Sequence, residues 1–183
     1  MIMGGIPTYL SLLNPLRSLS DNIDNLFFRK RSELWDEFRQ LYRTHYSNSD
    51  QYIRIVEALS TRRSGMTRRE LIAVTHLPDN GALSRKLQDL NDSDFIRVSA
   101  QFEKKNERYY QLRDYYTLFY FRFIHHHPGR DEHFWTHFTG TPSKYAWAGL
   151  SYEFLCLDHI RQINRKSGFL PYLPRNLHGS ERK

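Results

Sequence analysis

The chain has 183 residues, a formal net charge of +7 and a pI near 9.6, with 39% hydrophobic and 26% charged residues. These values exclude global disorder and allow one ordinary domain or two small ones. The lone Cys156 excludes an internal disulfide framework, and no apolar run approaches the roughly 20 residues of a membrane span.

Taken in chain order, Gly4-Gly-Ile-Pro7 predicts a turn before a short helix, with Pro7 at a first helical position where its missing N–H costs nothing. Tyr9, Leu10, Leu12 and Leu13 supply its apolar side, and Pro15 ends it. A second helix is expected over 20–28 with Ser20 as its cap, and a third over 32–42, where Leu34, Phe38, Leu41 and Tyr42 share a face. Ser47-Asn-Ser-Asp50 reads as a linker and cap.

Residues 51–113 read as one module. Helical periodicity places Tyr52, Ile53, Val56 and Leu59 on one side of a first helix. After the basic turn Thr61-Arg-Arg-Ser-Gly-Met66, Thr67 and Glu70 have the spacing of a capping box, opening a helix with Leu71, Ile72 and Val74 as apolar positions. Pro78-Asp-Asn-Gly81 breaks it, and a third helix follows with Leu83, Leu87 and Leu90 at spacings of four and three. The period then falls to two over Phe95–Phe102 and Arg108–Leu112, which predicts two strands joined by a polar turn. Three short helices and a β-hairpin form the pattern of a winged helix-turn-helix.

Beyond it, 114–124 is very aromatic and is expected to be a buried helix with Tyr115, Leu118, Phe119, Arg122 and Phe123 on one side. Residues 131–138 allow one or two helical turns. A longer helix is expected from Pro142 to about Lys166, burying Trp147, Leu150, Phe154, Leu157 and Ile163, with Cys156 in its core and Gly168 as its cap. The fold class is thus mainly α: a helical segment 1–50, a winged helix 51–113, and an aromatic-rich helical segment 114–183. The cytoplasm is the expected compartment.

Residues 1–50 are charge-balanced, so the basic surplus lies in the rest of the chain. Duplex DNA is the expected partner, since phosphate neutralisation calls for such a surplus. On a winged helix the third helix would enter the major groove, presenting Ser84, Arg85, Lys86 and Gln88. Lys104, Lys105 and Arg108 on the wing would contact phosphates, as would Arg62, Arg63, Arg68 and Arg69 around the start of the second helix. Asp89, Asp92 and Asp94 oppose a phosphate surface, and winged helices also serve as protein-interaction modules. The histidines 125–127, 133 and 137 form an incomplete ligand set for zinc, and no metal is expected there.

Three stretches resemble the C-terminal half of a known family. Gly4-Gly-Ile-Pro-Thr-Tyr-Leu10 is similar to the Gly-Gly-Ile-Pro-Tyr-Tyr-Leu segment that begins the helical lid of archaeal-type ATPases, P-loop NTPases of the AAA/STAND kind. Tyr110-Gln-Leu-Arg-Asp-Tyr-Tyr-Thr-Leu-Phe-Tyr120 resembles that family's block after the winged helix. Trp147-Ala-Gly-Leu-Ser-Tyr-Glu-Phe-Leu-Cys156 resembles the opening of its nuclease-like last domain. The resemblance implies a preceding ATPase domain holding ATP and Mg²⁺, against whose nucleotide Gly5 and Pro7 would lie. This chain has no Gly-x-x-x-x-Gly-Lys-Ser/Thr, so no cofactor is expected in it and no catalysis from it. It is expected to be a fragment or truncated product, and of the nuclease metal site only Glu153 matches. The alternatives are an assembly module coupling an ATPase to a partner, and a residual nuclease using Glu153.

Overall fold

A computed structural model describes residues 2–3, 6–30, 32–100, 107–125, 127 and 131–167. The described chain is mainly helical with one small antiparallel sheet. Its elements are α1 (Pro7–Ser11), α2 (Leu19–Ile23), α3 (Glu37–His45), α4 (Ser49–Ser60), β1 (Met66–Thr67), α5 (Arg68–Thr75), α6 (Gly81–Asp92), β2 (Ile96–Ala100), β3 (Arg108–Leu112), α7 (Tyr115–Phe119), α8 (Phe134–Phe138), α9 (Pro142–Asp158) and α10 (Ile160–Ser167). Two π-helical turns, Asp24–Phe28 and Tyr120–Ile124, extend α2 and α7.

Residues 49–112 follow their local code closely. Helix α4 buries Tyr52, Ile55, Val56, Ala58 and Leu59, while Ile53, expected on that face, is half-buried. The Thr67 hydroxyl accepts from the Glu70 amide while the Glu70 carboxylate accepts from the Thr67 amide, so the capping box forms. Of the apolar trio on α5, Leu71 is buried and Ile72 packs against the core, whereas Val74 faces solvent. His76 ends α5 in the left-handed region at φ 54°, two residues before Pro78. Asn80 then caps α6, accepting from Ala82 and Leu83 amides at 3.0 and 3.1 Å, and Leu83, Leu87 and Leu90 are buried.

Strands β2 and β3 pair with Ile96 opposite Leu112 and Val98 opposite Tyr110. The two-residue β1 adds to the free edge of β3, with Met66 opposite Tyr110, so the order is β1-β3-β2. A strand this short has no periodicity of its own, and only the edge of β3 makes it one. Gly65 at φ 82° turns the chain into it.

The flanks depart further from their periodicity. Ser18, not Ser20, caps α2, accepting from the Asp21 amide at 3.1 Å. Helix α3 begins at Glu37 rather than near 32, because the Leu34 amide is held by the Leu26 carbonyl. Leu34, Phe38 and Tyr42 are still buried as their spacing implies. In the aromatic segment the buried residues are Tyr116, Thr117, Phe119, Phe121, Phe123 and Ile124, while Tyr115 and Leu118 are half-buried and Arg122 is exposed. The π turn inserts an extra residue into the winding, so a 3.6-residue wheel loses register after Phe119. Phe119 sits 5.2 Å from Phe27, 5.4 Å from Trp135 and 6.2 Å from Trp147 between ring centroids, joining the N-terminal segment to α8 and α9.

The long last helix is two helices meeting at His159. Only the inner side of α9 is covered, by Trp147, Leu150, Ser151 and Phe154. Leu157 and Ile163 are exposed and Cys156 is half-exposed, which corrects their assignment to the core. No described helix is long and apolar enough to cross a membrane.

Candidate nucleic-acid interface

Helix α6 packs against β2 with its three leucines buried, which fixes where its polar positions point. Ser84, Gln88 and Asn91 recur at four and three, so they rise on one side above β2 and β3. With Arg68 at the start of α5 and Arg108 and Tyr110 on β3, they line an open cleft of about 600 Å³. Four of the residues singled out in the sequence, Arg68, Ser84, Gln88 and Arg108, are thereby brought to one cleft. Asn91 and Tyr110 were missed, although the 84/88/91 spacing already marks Asn91.

Arg68 is held in place rather than loose. Its Nε donates to Asp79 Oδ1 at 2.8 Å, one Nη to Ser84 Oγ at 3.1 Å and the other to the Asn80 carbonyl at 3.0 Å. It staples α5 to the turn before α6, with its charge paired to Asp79. Gln88 donates to Asp92 at 2.8 Å. Arg85 on α6 and Arg69 on α5 are exposed, and Arg85 acts on Tyr52 across the α4 side of the helix.

The other candidates lie elsewhere. Lys86 points to the α4 side, its Nζ 5.5 Å above the Tyr52 ring. There Tyr52 donates to Asp89 at 2.6 Å, and burial together with that bond raises the Tyr52 pKa well above its ordinary value. Arg62 pairs with Glu70, whose carboxyl is held below its usual value first by the Thr67 amide and hydroxyl and then by Arg62. Arg63 pairs with Glu153 on α9. Both turn arginines thus already face carboxylates within the chain. Lys104, Lys105 and Gly5 lie outside the described residues, and Pro7 is the exposed first residue of α1.

A second polar cluster had no signal in the sequence. Asp158, at the end of α9, accepts from Arg97 on β2 at 2.6 Å, from Arg113 Nε at 3.2 Å and from the Tyr115 hydroxyl at 3.0 Å. It clamps α9 beside the sheet. His137 Nδ1 contacts Asp131 at 2.9 Å, and among the described residues no group of three or more His, Cys, Asp or Glu is arranged to hold a metal ion.

Comparisons of the chain with protein-family models, with curated proteins and with solved structures return no match.

Proposed function

We propose that residues 51–113 are a winged helix-turn-helix that binds duplex DNA through α6 and the β2–β3 hairpin. One observation carries this reading: Arg68, Ser84, Gln88 and Arg108 converge on a single cleft between the third helix and the hairpin. A helix with its polar side outward can enter a major groove, and a basic residue at the loop end of the paired strands, as Arg108 is, then meets the flanking phosphates. The order helix, strand, two helices and hairpin supports the assignment, and the exposed Arg69 and Arg85 add positive charge to α5 and α6. Arg62 and Arg63 drop out of the contact set, because each is paired with a carboxylate and neither lines the cleft, whereas Arg68, paired with Asp79, lines the cleft and shapes it without adding free charge. The similarity to archaeal-type ATPases supports a place for this module beside a nucleotide-binding domain, with ATP and Mg²⁺ held by that domain.

The test is fluorescence anisotropy of a labelled mixed-sequence duplex with the purified chain across a salt series. Binding should weaken steeply as salt rises, since each neutralised phosphate releases counterions. Arg69→Glu, Arg85→Glu and Arg108→Glu together should abolish it, while Arg63→Glu should leave it nearly intact. Absence of binding at low salt overturns the reading.

An assembly role is the second reading, and α9 favours it. Tyr145 and Tyr152, each 67% exposed, share its outer side with Ala148, Gly149 and Leu155. A helix apolar on both sides is ordinarily covered on both. Concentration-dependent sedimentation that is lost on Tyr145→Ser with Tyr152→Ser, in a chain that ignores DNA, would favour assembly.

A further inference from the structure

Away from the proposed DNA face, the N-terminal segment forms an open cavity of about 380 Å³ between the end of α1, the α2–π turn and the side chains of Arg29, Lys30, Ser32 and Glu33. One wall is rigid. Asn22 accepts from the Asn14 amide at 2.7 Å and donates to the carbonyls of Asn14, Arg17 and Ser18, which fixes the 14–18 loop. Into this cavity come Arg17, Arg29 and Lys30, none of which has a carboxylate partner among the described residues. Glu33 is the single acid among the described residues that line it.

Three polar atoms here are buried without a hydrogen-bond partner: Asn25 Oδ1, Arg29 Nε and Ser32 Oγ. Native chains pair nearly all such atoms, because a buried unpaired donor or acceptor is costly. Three of them in the lining of one cavity, beside three cations with no carboxylate partner among the described residues, is an arrangement suited to an anion. The Arg29 fork and the Ser32 hydroxyl can both donate to oxygen. The Asn25 amide donates as well when its two ends are exchanged, a choice set by whatever it faces.

We propose that this cavity binds the phosphate group of a small phosphomonoester. Arg29 and Ser32 hold the oxygens directly, and Arg17 and Lys30 supply the balancing charge. Its volume reaches the range of small-ligand sites, so the group carried by the phosphate has room beside it. The site lies at the opposite end of α1 from Pro7, and it stands independently of the DNA reading.

The experiment is a ¹H–¹⁵N titration of the full chain with inorganic phosphate and with ribose 5-phosphate, against sodium chloride at matched ionic strength. Saturable shifts at the Arg29 Nε–H, the Asn25 side chain and the Ser32 amide are expected with both phosphates and not with chloride. Arg29→Gln with Ser32→Ala should remove them, Lys30→Gln should weaken them, and Arg108→Gln should leave them unchanged. Shifts confined to the α6 cleft, shifts equal in chloride, or exclusion of the ester while free phosphate binds would each overturn the proposal. Should the double variant fail to fold, the map on the unaltered chain and the Lys30→Gln titration still decide it.

Discussion

Arg97 on β2 donates to Asp158 on α9 at 2.6 Å, with the carboxylate side chain only 14% exposed. Arg113 and Tyr115 donate to the same carboxylate. Asp158→Ala would leave three donors facing a gap, and partly buried bonds to a charged group contribute about 1.5–3 kcal/mol. The expected outcome is a loss of that order in a urea titration, with faster amide exchange along α9. Asp158→Asn, which keeps an acceptor, should lose less. An unchanged midpoint for the alanine variant would show that α9 docks without the clamp.

Gly65 and Gly140 separate two costs of adding a methyl group. Both have positive φ, at 82° and 84°. A Cβ on Gly65 would stand 2.6 Å from the Tyr110 carbonyl oxygen on β3, whereas one on Gly140 meets nothing within 4 Å. Gly140→Ala should therefore cost only the left-handed backbone term, about 1–2 kcal/mol. Gly65→Ala should cost clearly more, since β3 or β1 must also shift. Chemical denaturation of the two variants in parallel checks the order, and equal losses would mean that the β1–β3 pairing yields without penalty.

Asp114 supplies the pH dependence. It caps α7 by accepting from the Thr117 amide at 2.7 Å, yet burial outweighs that bond and raises its carboxyl above the ordinary value. The folded state thus holds the proton more tightly than the unfolded chain. Its contribution to stability is full below the unfolded value near 3.9 and is lost as pH rises through the raised folded value. Asp114→Asn keeps a capping oxygen and removes the charge. The stability of the variant relative to the parent should grow from about pH 4 upward and then level off. A difference that stays constant across that pH series would show that Asp114 ionises without penalty.

Phe119 is fully buried where the N-terminal segment, α8 and α9 meet. Phe119→Ala should cost about 3–5 kcal/mol, the range for emptying a large buried aromatic site. Near-UV circular dichroism should fall with it, because Trp135 and Trp147 lose a shared neighbour. A small loss would mean that the three parts are held by other contacts.

Legibility followed distance along the chain. Helices α4 to α6 and the β2–β3 pair could be read in the sequence, and so could the cleft residues Ser84 and Gln88, because caps and leucine spacing act over three or four positions. The engagement of Arg62 and Arg63 could not. Arg63 meets Glu153 across 90 residues, and nothing local distinguishes it from the exposed Arg69. The long-range cap on α8 was equally silent: Asp24 accepts from the Trp135 and Thr136 amides at 2.7 and 3.0 Å, and it is wholly buried.

By itself the sequence determined the capping box at Thr67 and Glu70, the buried leucines of α6 and the change from helix to strand near Phe95. Each depends on neighbours whose geometry the backbone sets directly. Only tertiary structure decided that Met66 and Thr67 become a strand, that π turns rotate the aromatic face, and which arginines remain free to meet a partner. Those outcomes turn on which distant surfaces pack together, and no period within a single segment encodes them.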